Sequence, residues 1–137
     1  MPGWAQFCLF VYAACFVEGL GSHIRDLVLY GFHAYDWAVW PWRVMWYSFL
    51  LIEPVAVWLA LRARWAAAPL GIAIMAGDLP PNWYYNWSAI KADPGLFWAP
   101  VGLLPMSSFG LFVVITGVPL WRLLRQRAHG AGTPEPS

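Results

Sequence analysis

Acidic side chains interrupt three apolar stretches of the sequence, at Glu18, Glu53 and Asp78. A carboxylate inside a lipid bilayer costs about 2.5–3.5 kcal/mol on insertion scales unless it is paired or hydrated, so such residues are candidates for function. A buried acid can keep its proton and act as a donor. A neighbouring ionised acid and aromatic faces can then stabilise positive charge. These groups suit a hydrophobic ligand with one cationic or carbocationic centre. They also suit a ligand whose double bond is moved by protonation and deprotonation.

The densest group of such residues is the stretch 77–87, which reads G-D-L-P-P-N-W-Y-Y-N-W. Its two prolines remove backbone donors, so a helix is predicted to kink or stop there. Broken backbone beside an acid and an aromatic wall indicates the lining of a pocket, with ligand-binding candidates at Asn82, Trp83, Tyr84 and Asn86. The alternative is an ordinary helix end at the membrane surface, where Trp, Tyr and Asn also collect.

Composition predicts an integral, multi-pass membrane protein. The chain has 137 residues, of which 61% are hydrophobic and only 11% charged, whereas a soluble domain carries about 25% charged residues. Eleven tryptophans agree with this, because Trp favours membrane interfaces. The net charge of +1 gives no electrostatic case for nucleic acid as a partner.

Four segments are long enough to cross a hydrocarbon core: 4–30, 44–61, 65–87 and 96–124. Short connections between long helices predict an antiparallel four-helix transmembrane bundle as one domain, residues 1–128, followed by a disordered cytoplasmic tail, 129–137. The basic residues set the orientation. Arg43 and Lys91 lie on one side, and the other side carries Arg62, Arg64, Arg122, Arg125 and Arg127. This asymmetry predicts that both termini are cytoplasmic.

At about 100° per residue, the polar residues of the first segment share one face, which should point into the bundle. They are Glu18, Ser22, His23 and Asp26. Rise per residue places polar groups of all four segments at similar depth, which predicts an intramembrane polar cavity. The candidate catalytic groups are Glu18, His23, Glu53 and Asp78; the further candidate ligand-binding groups are Asp26, Ser107 and Ser108. The alternative is a paired set of acids that only orients the helices.

Other chemistries have weaker support. Carboxylates and imidazole could ligate a metal, but the sequence lacks the Glu-x-x-His pair that carboxylate-bridged bundles use. Haem needs facing axial ligands from two helices; His23 is in a helical segment and His33 in a predicted loop. We therefore predict no metal and no cofactor.

Four stretches together resemble the emopamil-binding protein family and its membrane unit, the EXPERA domain. They are residues 18–26, residues 53–62 leading to Pro69, residues 77–78 with 83–85, and residues 97–98 through 117–119. The likeness covers roughly residues 15–124. It implies a four-helix unit with both ends cytoplasmic and a cavity open to sterols or other lipids. It also implies acid–base roles for Glu18, His23 and Asp78, and pocket walls at Trp83 and Trp98.

The chain departs from the isomerases of that family in two ways. They carry the first-helix His before the acid, whereas here Glu18 precedes His23, and their next acid falls near Met45 rather than at Glu53. Two alternatives to a lipid-binding protein or isomerase therefore stay open. One is a non-catalytic small subunit or assembly factor of a membrane complex, with a second copy or another subunit as partner. The other is a proton or cation carrier.

Overall fold

The structure, a computed structural model, describes residues 1–99 and 102–130. Within these ranges the chain forms four α-helices: α1 (Gly3–Tyr30), α2 (Trp40–Leu61), α3 (Ala67–Ala92) and α4 (Leu103–Gly130). Two 3-10 helices, Gly31–His33 and Pro94–Trp98, follow α1 and α3. The predicted all-α class is confirmed.

Several predicted boundaries are wrong. Helix α2 begins at Trp40 instead of 44, because a proline in its first turn has no backbone donor to lose there. Helix α3 spans Ala67–Ala92 instead of 65–87, and it continues through both prolines, so it does not stop at them. Helix α4 begins at Leu103 instead of 96, since Pro94–Trp98 form a separate short helix.

The predicted disordered tail, 129–137, also needs correction at its start. Helix α4 runs to Gly130, so residues 129 and 130 are helical. The remaining part of that prediction, residues 131–137, lies outside the described residues.

Of the helices in the described ranges, three are long and apolar enough to cross a membrane. These candidate spans are Gly3–His33, Trp40–Leu61 and Leu103–Gly130. Helix α3 is not among them, although the sequence predicts a span there. Its first half is apolar, but its second half carries Asp78, Asn82, Asn86 and Lys91.

The helices pack along buried stripes of residues spaced three and four apart, the spacing typical of helices that cross at small angles. In α2 the buried residues are Trp46, Phe49, Glu53, Ala56 and Ala60. Helices adjacent in the chain contact each other, and α1 also contacts α4. Glu53 therefore occupies a position in the stripe at which an apolar residue would be expected.

Small residues let the helices approach closely, as is common in membrane proteins. A Cβ added at Gly117 of α4 would lie 2.7 Å from Cδ1 of Ile72 on α3. A Cβ at Gly71 would lie 3.0 Å from the ring of Tyr12, which is fully buried. The Tyr12 hydroxyl is 3.3 Å from Oγ1 of Thr116, so α1, α3 and α4 meet around this ring.

We predict that Gly117→Ala destabilises the fold by about 1–3 kcal/mol, because the new methyl group overpacks the α3–α4 contact. Thermal unfolding in mild detergent measures the loss. Adding Ile72→Val removes the Cδ1 atom that is closest to the new methyl and should restore part of the stability. The matched control is Gly21→Ala, since a Cβ there meets no atom within 4 Å. Equal effects at Gly117 and Gly21 would contradict the prediction.

Candidate functional site

Asp78 is a buried acid whose carboxylate is held from two helices. The Trp46 indole Nε1 on α2 donates to Oδ1 of Asp78 at 2.8 Å. The Asn82 Nδ2, one turn further along α3, donates to the same oxygen at 2.8 Å and to the Asp78 carbonyl at 2.9 Å. Asp78 is only 8% exposed. Its two donors offset part of the cost of removing a carboxylate from water.

A second hydrogen-bonded group joins the C-terminal half of α1 to the connection before α2. The Tyr35 hydroxyl lies 2.8 Å from Nδ1 of His23 and 3.3 Å from Oδ2 of Asp26. An ionised carboxylate only accepts, so Tyr35 donates its single proton to Asp26 and accepts from His23 Nδ1–H. In neutral His23 the other ring nitrogen, Nε2, is then left as an acceptor.

Aromatic rings join the two groups into one layer. The Tyr35 and Trp46 ring centroids are 5.2 Å apart, and the Trp37 and Trp46 centroids are 5.4 Å apart. His23 also packs on Phe49 of α2, with centroids 5.5 Å apart. We call the residues of the two hydrogen-bonded groups, together with Glu53 on the same buried face of α2, the polar layer. It comprises His23, Asp26, Tyr35, Trp46, Glu53, Asp78 and Asn82.

Glu53 is the member of the polar layer without a partner. It is 3% exposed, and its Oε2 has no hydrogen-bond partner within residues 1–99 and 102–130. Its other oxygen, Oε1, lies 2.5 Å from the place where a Cβ on Gly19 would stand, so the carboxyl packs on the backbone of α1. The charges that act on it come from Asp78 and Glu18, which are acids as well. An acid in this position needs a proton, a cation or a donor from outside the chain.

Asp36, an exposed residue between the first two candidate spans, contacts His33 and Arg43 at the ends of those spans. Asp36 accepts from Nδ1 of His33 at 2.7 Å and pairs with the guanidinium of Arg43. The hydrogen bond from His33, together with the Arg43 charge, lowers the pKa of Asp36. Burial and the neighbouring Asp26 raise the pKa of Tyr35, so its hydroxyl keeps its proton at neutral pH.

Four predicted site residues are joined in the polar layer: His23, Asp26, Asp78 and Asn82. A fifth, Glu53, lies on the same buried face of α2 as Trp46 and Phe49. Glu18 is the exception, because it is exposed and lies off the inner face of α1. The buried positions of that helix include 5, 9, 12 and 16, and the same spacing continues through 19, 23 and 26. Glu18 is one residue, about 100°, away from that line, so its predicted inward orientation is wrong.

The predicted ligand-binding residues do not form one wall. Trp83 donates from Nε1 to Oγ of Ser107 at 3.0 Å and so links α3 to α4. The other four are exposed: Tyr84, Asn86, Trp98 and Ser108. An open aromatic pocket of about 810 Å³ is lined by Trp83, Tyr84, Tyr85, Trp87 and Ser88. Neither this pocket nor one of about 550 Å³ near Arg62 and Arg127 is lined by the acids.

Sequence reasoning missed Tyr35, Trp46 and Gly19 as parts of the site. For Trp46 a signal existed, because it stands seven residues before Glu53 and therefore on the same helix face. For Gly19 the signal was its position seven residues after Tyr12 and three after Phe16, which places it on the same helix face. Tyr35 lies in a connection, where periodicity says nothing about direction.

Within the described part of the chain, no group of three or more His, Cys, Asp or Glu side chains is placed to hold a metal ion. No family model matches the sequence. No curated protein and no solved structure matches it either. The resemblance to the EXPERA domain therefore stays a prediction.

We predict that Tyr35→Phe destabilises the protein by about 1–3 kcal/mol, because His23 and Asp26 lose a shared buried partner while the ring packing stays. Thermal unfolding in detergent measures it. Tyr84→Phe is the matched control, since Tyr84 is 76% exposed. An effect of Tyr35→Phe no larger than that of the control would refute the shared hydrogen bonds.

A second prediction concerns pH. Because the pKa of Asp36 is lower in the folded protein, its stabilising contribution is fully present above the ordinary value of about 3.9 and is lost as the pH falls through the lower folded value. Wild type should therefore unfold at a higher temperature than Asp36→Asn at pH 5, and the gap should be smaller at pH 3. A gap of equal size at both pH values would count against it.

Proposed function

We propose that this chain is an integral membrane protein that binds a hydrophobic ligand of sterol or isoprenoid size through Glu53 and Asp78. The ligand carries one cationic group or hydrogen-bond donor. The observation that supports the proposal is the unpartnered, almost fully buried carboxyl of Glu53 in a helix long and apolar enough to cross a membrane. Such a group is costly in apolar surroundings and is retained where it serves a function.

The neighbours of Glu53 support binding of positive charge. Its charged neighbours are Asp78 and Glu18, and the described residues of the chain contribute no ion pair to it. The rings of Trp46 and Phe49 lie on the same face of α2. Aromatic faces and carboxylates together favour a cation or a carbocation over an anion.

In this proposal the four helices form an antiparallel transmembrane bundle with the polar layer inside it. Both termini lie in the cytoplasm, at the end that carries Arg62, Arg64 and Arg127. The ligand's apolar body lies between α1, α2 and α3, and its polar group reaches Glu53. Access requires α1 to move at Gly19, since the Glu53 carboxyl packs directly on it.

The finer form of the proposal is isomerisation of a double bond, the activity that the EXPERA resemblance implies for some members. One acid of the layer gives a proton to one alkene carbon, which leaves a carbocation. A second group, Asp78 or His23, removes a proton from the neighbouring saturated carbon on the far side of the carbocation. The double bond has moved by one position, and no other reactant is consumed.

We predict that wild-type protein purified in mild detergent retains a specific sterol or isoprenoid lipid, measured by mass spectrometry of its extract. Glu53→Gln and Asp78→Asn keep the side-chain size but remove the charge, and each should lower the retained amount at least about tenfold. Asp93→Asn is the control, because Asp93 is exposed, lies outside the polar layer and as asparagine can still accept from the Gly95 N–H. Bulk-like lipid in every sample would refute the proposal.

The same material tests the finer form. Incubation of the retained lipid with wild-type protein in deuterated water should place deuterium on the alkene carbon that is protonated, which becomes the saturated carbon beside the shifted double bond. Retention without deuterium would support binding and overturn isomerisation.

A second candidate function, the small subunit of a membrane complex, is favoured by Glu18 and Arg25. Both are exposed on α1, seven residues apart and so on one face, within a candidate span. Exposed ionisable groups in a span are costly to leave in lipid, and a partner helix would cover them. Light scattering of the same samples distinguishes the two candidate functions, because a subunit that stays with its partner has a larger particle mass than this chain alone.

A further inference from the structure

A second site lies at the opposite end of the helices from the polar layer. A pocket of about 550 Å³ forms where α2 ends, α3 begins and α4 ends. Its lining includes Arg62, Arg64 and Arg127, with Trp58, Trp65 and Leu124. No aspartate or glutamate is among the described residues that line it. The pocket lining therefore combines three positive charges with apolar side chains.

The turn between α2 and α3 leaves the arginine side chains available. The Arg64 backbone N–H donates to the Leu59 carbonyl at 2.9 Å, and the Ala63 N–H donates to the Ala60 carbonyl at 3.0 Å. This is the Schellman pattern, with Ala63 at positive φ (48°) in the place usually taken by glycine. Because the turn itself satisfies these carbonyls, the guanidinium groups are not needed to cap the helix.

The three guanidinium groups have no partner among residues 1–99 and 102–130. Arg62, Arg64 and Arg127 are exposed, and none forms a hydrogen bond or ion pair with another described residue through its side chain. Guanidinium groups bind phosphate oxygens in pairs of parallel hydrogen bonds. Trp58 and Trp65, 50% and 47% exposed, are residues that favour the interface at headgroup level.

We propose that this pocket binds the phosphate group of an anionic phospholipid, with the acyl chains running along the apolar side formed by Trp58 and Leu124. This site is independent of the ligand proposed for Glu53. It differs from a diffuse attraction of basic residues to the membrane, because Arg122 and Arg125 lie at the same end and do not line the pocket. Arg125 instead stacks over the Trp121 ring, 5.2 Å from its centroid.

The test compares two charge-matched pairs of substitutions in the full chain, purified in mild detergent and titrated with phosphatidylglycerol, with native mass spectrometry as readout. A surface arginine contributes about fivefold to anionic lipid binding, so Arg62→Gln/Arg64→Gln should weaken binding about 25-fold. Arg122→Gln/Arg125→Gln should change it less than about twofold if these residues lie outside the site. Arg127→Gln alone, on another helix, should cost about fivefold.

Three results would overturn the proposal. One is equal weakening by the two pairs, which would indicate diffuse attraction. Another is equal binding of phosphatidylglycerol and phosphatidylcholine by wild type. The third is displacement of phosphatidylglycerol by millimolar glycerol phosphate or inorganic phosphate, which would assign the pocket to a soluble phosphate. Helix content measured by circular dichroism confirms that each variant is folded. If the double variant Arg62→Gln/Arg64→Gln does not fold, Arg127→Gln on α4 still tests the proposal.

Discussion

Burial of two carboxylic side chains among apolar helices is the constraint on which the rest of the site depends. Asp78 is stabilised by donors from Trp46 and Asn82, so α2 and α3 must hold a fixed rotation and depth relative to each other. Glu53 is buried nearby with one oxygen that no described residue satisfies. Asp78 therefore fixes the arrangement of the layer, and Glu53 provides the oxygen that is left to bind a further group.

Close packing of backbones makes that arrangement possible. Gly19 lets the Glu53 carboxyl lie against α1, and Gly117 lets α4 approach Ile72 of α3. Contacts of this kind stabilise helices in lipid, where there is little hydrophobic driving force between them. The prolines inside α2, α3 and α4 do not end these helices.

The two ends of the molecule carry different side chains. One end gathers three arginines, none of them paired with another described residue, around a pocket that Trp58 and Trp65 also line. The other end carries the open surface that Trp83, Tyr84 and Trp87 line. Arginine is therefore concentrated at one end, whereas tryptophan is present at both.

The sequence by itself determined the helical class, the scarcity of surface charge and the acids in apolar stretches, because composition and 3.6-residue periodicity are local properties. Tertiary structure decided which acids meet. Glu18 and His23 are both polar on α1, yet only His23 lies on the inner line, since a rotation of one residue moves a side chain by about 100°. Tyr35 belongs to the site although it lies in a connection, where no periodicity predicts the direction of a side chain. Helix α3 continues through two prolines, since contacts with other helices outweigh the local preference of proline to end a helix.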